Sequence, residues 1–350
     1  MYYPFELQVT PLANVRRERI LPVAGEILVH IGERVEPIQI VARTNLPGEF
    51  HILPVTRLLD IPAAKVERHL RVKLGDEVRQ GQVIAARGSH RVRSPISGVM
   101  TASGAGRALI EAQPTVFELR AYLHGMVTNL IQNIGVVIEA TGAVIQGVWG
   151  AGGESFGVLK CLARSPDKPM RAKDIDPSCH GMIVIGGVGL NEAVLERAQE
   201  LQVRGIVTGG FPPELISRRD QLPFAVIATE GIGAMPMSEP VFNLLMTNEG
   251  REASLSGEVK SRWGIVRPEI IIPLPAETVP PTQSQPGAPL VVGAHVRIVR
   301  APYMGQVGVV TALPAHTRRI ETGARVRGAE VNLGQEMRVF VPLANLEVLR

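Results

Sequence analysis

The chain has 350 residues, 45% of them apolar and 20% charged, with a formal net charge of +4. That length exceeds one ordinary core and predicts roughly two to four domains. No run approaches the roughly eighteen apolar residues of a membrane-spanning helix, and two cysteines, Cys161 and Cys179, exclude a disulfide framework or a four-thiolate zinc site.

Glycine (36) and proline (27) are abundant and aromatics make up only 4%, a mixture that suits turn-rich β structure. Residues 1–18 read as an N-terminal extension. They lack the basic and apolar regions of a secretory leader, so the expectation is a cytoplasmic protein without membrane insertion.

An internal repeat follows. The segment GEILVHIGERVEPIQIVA (25–42) returns as HLRVKLGDEVRQGQVIAA (69–86). Each copy reads apolar, Gly, acidic, any residue, Val, then four variable residues and an apolar pair leading to Ala. The Gly-acidic step predicts a tight turn between short strands. A third element, VRSPISGVM, occupies 92–100.

These residues resemble the biotinyl/lipoyl-like barrel-sandwich hybrid fold, over roughly residues 20–110. In carriers of that fold a hairpin lysine bears the cofactor. Here the interval is Arg87, Gly88, Ser89, His90 and Arg91, so no biotinyl or lipoyl group and no other cofactor is expected. The variant without lysine is similar to structural modules of large assemblies, such as subunits of Rnf-type and sodium-pumping NADH:quinone oxidoreductases and insertions in RNA polymerase.

From 116 to 162 the chain alternates β-branched stretches with glycine and predicts a β-meander that completes a β domain over 19–165. A polar, Pro-containing boundary at 166–180 precedes a change of pattern. Residues 182–185, 205–210 and 224–229 read as buried strands. Residues 191–201 have apolar positions at 194, 195, 198 and 201, the spacing of an amphipathic helix, and 240–246 can form another. This order predicts a small parallel α/β domain over 181–267. It resembles a DRTGG-type regulatory domain in residues 206–210 and in strand–helix order. A Pro-rich spacer is expected at 268–289.

The last segment, 290–350, holds eight arginines, four glutamates and no lysine. Its GAHVRIVRAPYMGQVGVV (293–310) resembles a KOW motif, with Ala301 where that family usually has Gly, and the resemblance implies an SH3-like barrel that contacts RNA, ribosomes, RNA polymerase or other proteins. The fold class expected for the whole is therefore multi-domain α+β: a barrel-sandwich hybrid, a small parallel α/β domain and a C-terminal SH3-like β-barrel.

Two sets of residues are candidate sites. Arg297, Arg300, Arg318, Arg319, Arg325 and Arg327, with Arg338, can pair with phosphates on one barrel face, and Tyr303 can stack on a base beside them. Gly187, Gly189, Gly209, Gly210, Thr229, Gly231 and Gly233, with Glu230 and Ser238 as polar members, fall at the C-terminal ends of the parallel strands, the edge where α/β sheets bind small ligands.

Other short matches carry less chemistry. Gly153-Glu154-Ser155-Phe156-Gly157 satisfies the nucleophile-elbow pattern but is not followed by a helical pattern, so a turn is expected. The Cys179-His180 pair lacks the further ligands of a metal site, and no metal is expected. No catalytic residue can be assigned. The sequence favours a non-enzymatic adaptor that engages RNA, a ribosome or RNA polymerase. It leaves open a nucleotide- or flavin-binding subunit of an electron-transfer or metabolic enzyme, and a purely structural assembly protein with protein partners.

Overall fold

A computed structural model of the chain describes residues 5–259, 266–275, 289–334 and 337–349. These residues form a strand-rich structure of several sheets, none of which closes on itself. No helix among them is long and apolar enough to cross a membrane.

The sequence repeat becomes two copies of one fold; the inner copy has a core of its own, and the outer copy shares its core with strands of the largest sheet, including Val15, Ile138 and Ile271. In the outer copy the core includes Val29, Val35, Val41 and Ala42. In the inner copy Val72, Val78, Ile84 and Ala85 take the corresponding places. The predicted Gly-acidic turns are the same in both. Gly32 and Gly75 have φ of 87° and 88°, in the left-handed region that favours glycine. The acidic residue after each one closes its turn: Glu33 accepts the His30 amide at 3.1 Å and Asp76 the Lys73 amide at 2.7 Å.

The copies are nested rather than sequential. In the inner copy Val83–Arg87 and His90–Arg93 form a hairpin, with Ala85 opposite Val92 and a register shift beside that pair. In the outer copy Ile40–Leu46 pairs with Thr115–Arg120, with Ala42 opposite Leu119 and a shift at the equivalent step. The outer hairpin does not turn back at its tip. It runs out to Leu46, and the chain builds the whole inner copy before returning at Thr115. The second half of the outer copy is thus 119–127, where Gly125 opposes Val35 as Gly98 opposes Val78.

The N-terminal residues are not an extension. Val9–Ile20 is a twelve-residue strand paired along Gly135–Gln146. That strand belongs to the largest sheet, which runs on without a break into the α/β region. Residues 149–161, expected in the β domain, lie in the α/β part of this sheet. Glu154–Cys161 pairs with Met182–Ile185 in parallel, and Trp149–Ala151 edges Ala225–Ile232.

Gly205–Phe211 and Ala225–Ile232 continue the parallel set. Their residues are buried on both faces, as covered parallel strands require. Ile183 and Ile185 pack with Val241, Phe242 and Leu245 on one side. Val184 packs with Val194, Leu195 and Ala198 on the other. The two helices stand at Glu192–Glu200 and Glu239–Thr247, matching their apolar spacing; Asn191 caps the first by accepting the Val194 amide at 3.0 Å.

The spacer expected from 268 begins later. Glu269–Pro273 is a strand, and Ile270, Ile271 and Ile272 are fully buried, because three successive β-branched residues fill both faces of a central strand. The Pro-rich residues 276–288 lie outside the described residues.

Residues 290–349 have their own small core, including Val296, Ile298, Val310, Val331, Val341 and Val348. His295–Ile298, Val307–Ala312, Gly328–Asn332, Arg338–Pro342 and Leu346–Leu349 pair antiparallel. Phe5–Leu7 adds to the last strand in parallel, so the two ends of the chain share one sheet.

Candidate functional site

The C-terminal ends of the parallel strands are where the sequence places a ligand edge, and the chain itself fills most of that edge. A Cβ on Gly187 would stand 2.4 Å from the Lys168 carbonyl oxygen, one on Gly209 2.3 Å from that of Met235, and one on Gly210 2.0 Å from that of Gly233. These glycines permit backbone to cross backbone. Gly187 donates its amide to Lys168 O at 3.1 Å, a protein acceptor where a phosphate would need to sit.

A cavity of about 260 Å³ remains beside the edge, and of the expected residues Gly189 and Gly233 line it. Its one charged lining residue is Glu214. Glu192 lies in the first turn of the adjoining helix. Neither carboxylate favours an anion.

Glu230, Thr229 and Ser238 serve a different purpose at this edge. Glu230 accepts the Ser238 amide at 3.0 Å and the Thr229 hydroxyl at 3.3 Å through Oε1, and receives Arg297 Nη1 at 2.5 Å through Oε2. The same Nη1 donates to the Thr229 carbonyl at 2.8 Å. Arg297 Nη2 bonds Glu347, whose other oxygen accepts from Arg267 at 2.8 Å. Two arginines and two carboxylates form one neutral network, and it fastens the C-terminal unit to the α/β edge.

Burial alone would lower the Arg297 pKa, but Glu230 and then Glu347 hold it above its ordinary value. Arg297 is 2% exposed. It is therefore withdrawn from the phosphate-binding set: the strand pairing sets it opposite Glu347, on the strand face turned away from the C-terminal core and toward Glu230.

The other members of that set separate by exposure. Tyr303 is half-buried, with its ring packed in part against the C-terminal core. Arg300, Arg318, Arg319, Arg325, Arg327 and Arg338 are exposed. Arg318 pairs with Glu330 at 2.8 Å and lies over the Phe340 ring at 5.1 Å. Arg319 and Arg325 face each other across a hairpin of two-residue strands, Arg318–Arg319 and Arg325–Val326, and neither has an ion-pair partner among the described residues. Like charges directly opposite one another destabilise a strand pair. This hairpin carries that cost and presents an unneutralised positive surface.

The remaining motifs resolve simply. Ser155 lies within the strand Glu154–Cys161, and its hydroxyl accepts the Ala225 amide at 3.0 Å, so no nucleophile elbow forms. Cys179 is buried. Burial, and then Glu249, push the Cys161 thiol up to about 12. No group of three or more metal-ligating side chains occurs among the described residues.

The ion network is what reading by composition missed. A signal exists: Val296-Arg297-Ile298 and Leu346-Glu347-Val348 each set a charge between apolar neighbours, and the two strands pair in that register. No protein-family model matches this chain, and a search of curated proteins returned no match.

Proposed function

We propose that this chain is a non-enzymatic, cytoplasmic adaptor whose C-terminal unit binds RNA or a ribonucleoprotein machine, a ribosome or RNA polymerase, through phosphate contacts. The observation that carries this reading is the exposed hairpin with Arg319 and Arg325 opposed and without ion-pair partners among the described residues, bordered by Arg318 and Arg327. Guanidinium groups bind phosphate bidentately, and the cations condensed on the nucleic acid are released on binding, so affinity falls as salt rises.

The five antiparallel strands of 295–349, with a short 3₁₀ turn at Leu343–Asn345 before the last, support an SH3-like, KOW-type reading of this unit. The nested copies of the N-terminal half support a barrel-sandwich scaffold. The inner hairpin ends at Arg87 and His90 with no lysine to modify, which supports a scaffold without a cofactor.

The reading is tested by fluorescence anisotropy with a labelled single-stranded RNA of roughly twenty nucleotides, titrated at several salt concentrations. Saturable binding that weakens with salt, and weakens further in the Arg319→Ala/Arg325→Ala double variant, is expected. Absence of binding at low salt, or equal binding by the double variant, would show the reading to be wrong.

A further inference from the structure

A second surface lies far from the arginine hairpin in the sequence. A groove of about 1100 Å³ opens between the outer copy and the N-terminal ends of the parallel strands. Pro37, Ile38 and Arg120 line it from one side, Gly181, Arg204 and Phe224 from the other, and residues 154–158 run along it.

The strand in this groove has one unoccupied edge. Glu154–Cys161 pairs with Glu252–Ser256 along residues 154–158. On its other side it meets Met182–Ile185 only from Val158 onward. Among the described residues, none forms a strand beside 154–157 on that side. The Gly153 carbonyl accepts from Gly257 at 2.7 Å and the Leu159 amide donates to Arg251 at 2.9 Å, both toward the occupied side. By the alternation of an extended strand, the amide and carbonyl groups of Glu154 and Phe156 turn the other way.

The charge of the groove is one-sided. The Glu154 carboxylate is held by both Arg19 nitrogens at 2.7 and 2.8 Å, which neutralises it. Arg120 and Arg204 are exposed, and neither has a carboxylate partner among the described residues. Beside them Ile38 is 65% exposed and Phe156 half-buried, which offers apolar contact. An uncommitted strand edge offers donors and acceptors in alternation. A peptide backbone matches that alternation, whereas a phosphodiester chain supplies acceptors alone.

We infer that this groove binds an extended acidic peptide segment of a partner protein. The segment adds a short strand beside residues 154–157, with acidic side chains at Arg120 and Arg204 and apolar ones against Ile38 and Phe156. Strand addition of this kind draws affinity from main-chain hydrogen bonds and selectivity from alternate side chains.

The test uses the full chain and an array of acetylated octapeptides that alternate Asp or Glu with Val, Ile, Leu or Phe, read by fluorescence anisotropy. Saturable binding by a subset is expected. N-methylation of a central amide of a binding peptide, which removes one donor and leaves every side chain, should weaken it about tenfold, as should Arg120→Gln/Arg204→Gln in the protein. Both arginines are exposed, so the variant should melt as the parent does, and Arg319→Ala/Arg325→Ala should bind the peptides unchanged. Failure of every array member to bind saturably, or indifference to N-methylation or to the Arg120 and Arg204 charges, would overturn the assignment.

Discussion

Arg297 and the pair Arg319 and Arg325 belong to the same small unit and to the same run of arginines, yet they do opposite things. Arg297 has carboxylates on both its terminal nitrogens and almost no contact with solvent. Arg319 and Arg325 are exposed, opposed to each other and free of carboxylates among the described residues. The difference is one of strand position. Arg297 stands in a central strand whose neighbour supplies Glu347, whereas Arg319 and Arg325 sit in a hairpin paired only with itself. Counting positive charge along a sequence merges a buried anchor with an exposed positive hairpin, and strand register separates them.

The comparison predicts its largest effect on stability. Arg297→Ala would leave Glu230 and Glu347 buried beside one another with only Arg267 to compensate. Removing one partner of a buried ion pair costs about 3–5 kcal/mol, which a denaturant midpoint would show directly. Replacing Arg297 and Glu230 together, Arg297→Met with Glu230→Gln, leaves Glu347 paired with Arg267 and should recover much of that loss, since the penalty lies in the unpaired charge. A neutral effect of Arg297→Ala would break the distinction between the two kinds of arginine.

The opposite pattern is expected at the hairpin. Arg319→Ala/Arg325→Ala should weaken RNA binding about tenfold at moderate salt, on the order of 1.4 kcal/mol, and leave the melting temperature level or slightly higher, because a like-charge pair is relieved. Arg318→Ala should show a smaller and mixed effect. It removes an exposed pair with Glu330, worth about 0.2–1 kcal/mol, and one phosphate contact.

How much of this could be read from the sequence varies with the physics of each element. The glycine-acidic turns, the two helices and the parallel strands follow from local chemistry: Gly32 and Gly75 take left-handed turns, and positions 194, 195 and 198 fall on one helical face. The nesting of the two copies was hidden. Residues 119–127 share little with 92–100 beyond Gly125 and Gly98, and the inserted copy separates the outer strands by almost seventy residues. The return of Phe5–Leu7 to the last strand is a long-range pairing of the kind local patterns do not encode. At the candidate ligand edge, glycine at strand ends is equally compatible with a phosphate and with a crossing backbone, and the crossing chain at 165–168 and 233–237 decided between them.

A pH experiment gives the smallest effect at neutrality and sharpens the same contrast. Arg297 stays charged at alkaline pH, since Glu230 and Glu347 hold its pKa above the ordinary value, so it should not contribute to alkaline loss. Alkaline loss should come from groups whose burial favours the neutral form. Burial, and then Glu269, raise the Tyr122 hydroxyl well above its ordinary value, and Cys161 is pushed up to about 12. Both bind a proton in the folded chain that the unfolded chain releases earlier. Their contribution is complete below the unfolded pKa and declines as pH rises from about 9 toward the folded values. Thermal unfolding across that window should show the decline, and Cys161→Ala should reduce it.

The most direct test of the central claim is the salt dependence of RNA affinity in parent, Arg319→Ala/Arg325→Ala and Arg297→Met/Glu230→Gln. Each phosphate contact on a single strand contributes about 0.7 to the slope of log K against log salt. The hairpin variant should lose about 1.4 from that slope, and the anchor variant should keep the parent's. Equal slopes for parent and hairpin variant, or a loss confined to the anchor variant, would contradict the assignment of the exposed hairpin as the phosphate-binding surface.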